Sequence, residues 1–385
     1  MRFLSPSASQ LLRWALLLAA PSCTDPYLPE ALQSPPSYLV VDGFLNAQGV
    51  TTIKLSRTFA VGAKTAPPVE ARASVYLEEE GGPATVLREA PLGTYASPAL
   101  TLNPAHRYRL HLTTLGGKEY ASGFVPVKIT PPIDNLRWQA DTTGLRIRLN
   151  THDPANATRY YRWDFVETWE IDPIYSPQVE YKPNVLPLPD ISALYPAKCW
   201  GSAQSTTLLL ATTTSLSQDV VTDHLIQQVP PTSEHLHNGY SLLVQQQALT
   251  KEEFEYDERL RKNTQNIGSL FDAQPVQLTG NVRCLSAPTE LALGFVGAHS
   301  LVEKRLFLAR RDLPAYLRPA SGYEGCFPPD TLKLDSSRPL ITLQSYFGNG
   351  SNIPIEKVPA GYTAQSRDCI DCRTRGTSVK PSFWP

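Results

Sequence analysis

Thirty-five prolines among 385 residues, about twice the usual share, leave few stretches long enough for a regular helix. Proline removes a helix hydrogen bond and clashes with the preceding turn. The chain is therefore expected to be mainly β, built from short strands with irregular connections. Its alternation agrees. Ile53 and Leu55 fall on one side of a strand, with Thr52, Lys54 and Ser56 on the other. Ala73, Val75 and Leu77 repeat the pattern, as do Tyr108, Leu110 and Leu112 against Arg107, Arg109, His111 and Thr113. One apolar face and one polar face mark a half-buried antiparallel sheet, and the glycine pairs within 79–83 and 115–118 supply turns. Residues 38–128 are predicted to form an immunoglobulin-like β-sandwich.

The proline-rich stretch 124–136 reads as a junction. Residues 129–385 are predicted to form a larger β-rich domain, with strands at 145–151, 159–171, 206–214, 240–247, 291–298 and 304–311. One α-helix is expected near 250–267. Thr250 can cap it, Glu253 stands three places on for a capping box, and Leu249 and Phe254 have the spacing of a hydrophobic staple. Gly268 then ends it.

Near the start, Arg2 and Arg13 precede a seven-residue apolar run, 14–20, with small residues ahead of Cys23. Seven residues rise only about 10 Å as a helix, far short of a bilayer core of roughly 30 Å. The run fits a cleaved leader, and a cysteine directly after it is the arrangement of a bacterial lipoprotein. Residues 1–22 are predicted to be the signal peptide, Cys23 the lipidation site and 23–37 a proline-rich tether. Acyl chains would then fix the protein to a membrane, each buried methylene contributing about 0.8 kcal/mol. The formal charge of −1 offers no basic footprint for nucleic acid.

In an exported protein Cys199, Cys284, Cys326, Cys369 and Cys372 are expected to form disulfides, with one left over. The Cys-x-x-Cys at 369–372 could staple the tail to Cys326 or Cys199, close on itself, act as a redox pair, or form half a zinc site. Zinc would need a second ligand pair, which the sequence lacks, and a redox motif calls for a helix start. His235 and His237 could share one face of a strand, but two ligands do not make a metal site. Asp164 and Glu167 would face opposite sides of a strand, which argues against paired acid–base work. Tyr161, Trp163, Phe165 and Trp169 share a strand parity, suited to core packing or, alternatively, to a stacking platform. The sequence carries no phosphate loop, nucleophile elbow or metalloprotease motif, and no cofactor is expected.

Six stretches, 22–30, 38–45, 54–58, 151–170, 263–275 and 369–385, together resemble the Bacteroidota outer-membrane lipoproteins catalogued as domain of unknown function 4249. The resemblance implies a two-part β-rich lipoprotein lipidated at Cys23, with the Cys369/Cys372 segment as a shared structural feature. It also implies genes found beside TonB-dependent transporters. It implies no activity. The expectation is a non-enzymatic outer-membrane lipoprotein that assists such a transporter. The alternatives are an adhesive or structural surface protein, and an enzyme using the Cys369/Cys372 pair.

Overall fold

The computed structural model describes residues 37–59, 65–182, 188–189, 195–265 and 278–385. Cys23, the signal peptide, nearly all of the tether and the stop at Gly268 lie outside them. The chain is mainly β, as its prolines and alternation require, and its strands form three bodies.

The first body contains β1 (Leu39–Asn46), β2 (Gln48–Arg57), β3 (Ser74–Glu79), β4 (Ala84–Glu89), β5 (Thr94–Thr101), β6 (Arg107–Thr113), β7 (Glu119–Ser122) and β8 (Val125–Lys128). The alternating residues point as expected: Ile53, Leu55, Val75, Leu77, Tyr108, Leu110 and Leu112 are all at most 4% exposed. The sandwich expected of 38–128 is refined by the pairing. The sheet runs β6-β3-β4-β5-β2-β1, and a strand from far downstream, Ala298–His299, inserts parallel between β1 and β8. Since β8 also pairs with β6, eight strands close into a barrel-like ring, and closure removes edges that would otherwise need covering. Val282–Cys284 adds to β7, and Ala292–Leu293 adds to β1. The first body therefore recruits residues beyond 128.

The second body is the two-sheet sandwich. One sheet holds β9 (Ile133–Asp141), β10 (Gly144–His152) and β16 (Val220–Val229) in the order β16-β10-β9. The other holds β11 (Tyr160–Ile171), β14 (Cys199–Gln204), β15 (Leu209–Thr212), β17 (Tyr240–Ala248) and β21 (Leu301–Leu308), in the order β14-β11-β17-β21 with β15 also on β11. Of the minor strands, β12 (Val179–Glu180) and β13 (Leu188–Pro189) pair only with each other, and β18, β19 and β20 are the three segments recruited by the barrel. The first, second and sixth strands of the sandwich thus share one sheet and the other five share the second. Leu145, Ile147 and Leu149 from one sheet meet Tyr161, Trp163, Leu242 and Val244 from the other, all fully buried.

The α1 helix (Lys251–Gln265) leaves the end of β17. Thr250 Oγ1 accepts from the Glu253 amide at 3.2 Å, and Leu249 and Phe254 pack in one cluster with Leu210. Cap and staple thus form, but the capping box does not close, because the Glu253 carboxylate turns towards His299 in β20.

The third body, unforeseen in outline, pairs β22 (Asp330–Lys333), β24 (Gly361–Ser366) and β23 (Asn352–Val358), with a second helix, α2 (Pro339–Phe347), packed on them. Disulfides Cys199–Cys372 and Cys326–Cys369 hold it to the sandwich. Cys284, expected among the bonded cysteines, is the one left over: its thiol is buried in the barrel core. The isolated bridge Trp200–Thr377 and Trp384 Nε1, which donates to Glu170 Oε1 at 3.1 Å, lay the end of the chain along the sandwich. Among the described residues no helix is long and apolar enough to cross a membrane.

Candidate functional site: a cleft between barrel and sandwich

Strand β11 has two unlike faces. Tyr161, Trp163, Phe165 and Trp169 point into the sandwich and are at most 9% exposed. Trp163 Nε1 donates to Gln246 Oε1 at 2.8 Å, and the Gln246 amide donates to Pro131 O at 2.8 Å and Thr151 Oγ1 at 3.0 Å. These aromatic rings are core, so the stacking-platform alternative does not apply to them. Glu167 lies on the same side, accepting from Tyr240 Oη at 2.7 Å. Asp164 points the other way, as its parity requires.

The opposite face carries Arg162, Asp164 and Val166, and with β1, β2 and α1 it lines a cleft of about 870 Å³. Arg162 is fixed by two acids. Its Nε and Nη2 donate to the two Asp164 oxygens at 3.1 and 3.3 Å, and its Nη1 donates to Asp257 Oδ2 at 3.3 Å. Gln247, opposite Arg162 in the β11–β17 register, donates to Asp164 Oδ2 at 3.1 Å. Burial opposes the Arg162 charge, but Asp164 and Asp257 outweigh it and hold the guanidinium above its ordinary pKa.

Asp257 experiences the opposite balance. Burial pushes its pKa up to about 6, Arg162 pulls it back only partly, and Glu253 and Asp164 raise it further. Glu253, one helical turn earlier on α1, is 7% exposed. Its Oε1 lies 3.4 Å from His299 Nε2, and its Oε2 has no hydrogen-bond partner. His299 is fully buried and stacks on Phe44 with centroids 4.2 Å apart. Gly297 permits this approach, since a Cβ there would stand 2.2 Å from Glu253 Oε2.

The other predicted positions lie elsewhere. His235 and His237 sit in and just after a 3₁₀ turn, Glu234–Leu236, and not on a strand. His235 stacks on Trp169 at 3.7 Å, and His237 contacts Pro319 O at 3.5 Å. No group of three or more His, Cys, Asp or Glu side chains among the described residues could hold a metal ion. Cys369 and Cys372 each bond to a distant cysteine.

A family model, described as a domain of unknown function (DUF4249), matches residues 24–305. The chain belongs to the DUF4249 family. The match covers every residue lining the cleft and ends before Cys326, so this DUF4249 chain carries most of its third body beyond the matched span. No curated protein matches the sequence.

Sequence reasoning placed α1 and its cap but missed the acids on its packed face. Glu253, Phe254, Tyr256 and Asp257 are buried while Lys251, Glu252 and Glu255 are exposed. Two acids on the buried side of an amphipathic helix are the signal that could have located the cleft.

The raised Asp257 pKa predicts a pH-dependent gain in stability for Asp257→Asn. The folded carboxyl keeps its proton up to about pH 6, whereas the usual value is 3.8. Its contribution to stability is therefore complete below pH 3.8 and lost as pH rises through 6. At pH 7.5 the variant should unfold later, by on the order of 2 kcal/mol, and the difference should vanish near pH 4. Paired melts at the two pH values check this.

Proposed function

We propose that this DUF4249 protein is an exported, lipid-anchored binding protein of the outer membrane, without enzymatic activity, that holds a small molecule in the barrel–sandwich cleft for a TonB-dependent transporter. The observation that carries it is the cleft itself. Its volume of about 870 Å³ falls within the range of small-molecule sites, roughly 300–1,000 Å³, and it lies between two bodies, where such sites concentrate. Ordered charged groups line it: Arg162 and Asp164 are fixed on strand β11 and Asp257 on a capped helix. Rigid elements position ligand-binding side chains better than loops do.

The compartment is argued from the two disulfides, which belong in an oxidising space, and from the arrangement of residues around Cys23. The alternative that uses the Cys369/Cys372 pair needs thiols that are bonded to Cys326 and Cys199. Among the described residues no surface feature favours the adhesive alternative over the cleft.

Replacing Cys23 by Ser should leave the chain unlipidated and shift it from the membrane to the soluble fraction. Intact-mass measurement of the mature wild-type chain should give an N-terminal cysteine carrying acyl groups. An unmodified amino terminus would overturn the anchoring. Affinity purification of the tagged wild-type protein from detergent-solubilised outer membrane should bring down a TonB-dependent barrel, and its absence would remove the transporter from the proposal.

A further inference from the structure

We infer that the cleft takes an organic cation, a small molecule bearing an amine or guanidinium group, which seats against Asp164, Asp257 and the buried Glu253. This deepens the binding reading above and rests on it.

The first argument is a count of donors and acceptors. Three carboxylates, Asp164, Glu253 and Asp257, line the cleft, each able to accept about four hydrogen bonds, whereas one guanidinium offers five donors. Arg162 already directs Nε, Nη1 and Nη2 at Asp164 and Asp257, so it cannot turn its whole fork to an incoming carboxylate. Gln247 adds one further donor, to Asp164. At the rim Lys54 and Asp42 stand opposite each other in the β1–β2 register and offset one another in charge. The floor keeps an excess of negative charge and of unfilled acceptor positions.

The second argument is independent of the charge count. Glu253 lines the cleft, is more than nine-tenths buried, and has one oxygen without any partner. A buried acceptor left unpaired costs about 1–3 kcal/mol, more when charged. Its other oxygen lies 3.4 Å from His299 Nε2, a buried nitrogen that itself makes no hydrogen bond. A bound cation supplies the missing compensation, because an opposite charge favours the ionised carboxylate.

The third argument is the wall. Phe44, Tyr256 and Phe295 line the same cleft, with the Tyr256 and Phe295 rings 5.7 Å apart. Aromatic faces attract ammonium and guanidinium groups, by about 0.5–2 kcal/mol each. Acidic floor and aromatic wall together match an organic cation better than a bare metal ion, for which the described residues offer no cluster of three ligands.

The test is calorimetric titration of the unlipidated chain beginning at residue 24 with spermidine, agmatine and choline, with glutamate and glucose as anionic and neutral probes, and magnesium chloride as an inorganic competitor. At least one organic cation should bind saturably, and Asp257→Asn and Glu253→Gln should each weaken it tenfold or more. Glu356→Gln, an exposed position in the third body, should leave it unchanged. Because Asp257→Asn is expected to melt later than wild type at pH 7.5, its loss of binding would not reflect unfolding. Binding of glutamate or glucose without any cation would overturn the charge assignment and leave the binding cleft standing. Silence from every probe would remove both. Cation binding that survives both carboxyl substitutions, or that equimolar magnesium abolishes, would place the attraction outside the cleft and end the inference.

Discussion

Replacing Cys199 and Cys372 together by serine should lower the unfolding free energy by about 2–5 kcal/mol, among the largest losses available to any pair of substitutions in this chain. The two half-cystines are 173 residues apart, against 43 for Cys326 and Cys369. Closing the longer loop restricts the unfolded chain more: in the chain-entropy account, about 5 kcal/mol against about 4. Cys199 and Cys372 are also fully buried, so two unbonded hydroxyls would replace a packed sulfur pair. Urea titrations of the two double-serine variants should rank the Cys199/Cys372 pair as the less stable. Limited proteolysis should then release fragments from the third body first, because Cys326–Cys369 is the one disulfide left to hold it. A thiol count on the denatured, unreduced chain from residue 24 should give one, Cys284. Three thiols, or equal stabilities of the two variants, would refute the pairing as a structural staple.

Trp163→Ala should destabilise the chain by about 3–5 kcal/mol without changing which small molecules the cleft accepts. The indole is fully buried between the sandwich sheets, with Tyr161 stacked at 5.6 Å and His224 at 4.4 Å. Removing it leaves a cavity and strips Gln246 Oε1 of its donor, so the lost packing and the orphaned acceptor add. The midpoint of urea unfolding should fall while its slope stays unchanged. A variant with wild-type stability and altered ligand binding would restore the stacking-platform role for these aromatics.

Both results bear on what could be read without coordinates. The strand content was legible because period two survives in the residue order: of the inward residues assigned in 53–55, 73–77 and 108–112, all are buried except the half-buried Ala73. The cap at Thr250 and the staple of Leu249 with Phe254 were legible because both are local. The opposite orientations of Asp164 and Glu167 followed from parity alone. The closed barrel was not legible, because β20 lies about 170 residues from its partner β8 and is only two residues long. Nor was α2 expected; its first turn holds Pro339, and proline suits a helix start as well as it breaks an interior. The capping box failed for a tertiary reason: the fully buried His299, brought in by the barrel, draws the Glu253 carboxylate away from the cap.

The same division separates what the residues settle unaided from what folding must supply. Composition, alternation and local capping determined a mainly β chain, its inward side chains and the helix that begins at Lys251, because each depends on neighbours within a few positions. The number of cysteines determined that one of the five after Cys23 would stay unpaired within the chain. Which one it was, and that Cys369 and Cys372 reach back to Cys326 and Cys199, the tertiary structure decided. The cleft belongs wholly to the second category. Arg162, Asp164 and Asp257 lie up to 95 residues apart, and only the docking of sandwich, helix and barrel brings them within hydrogen-bond distance, where burial changes their charge.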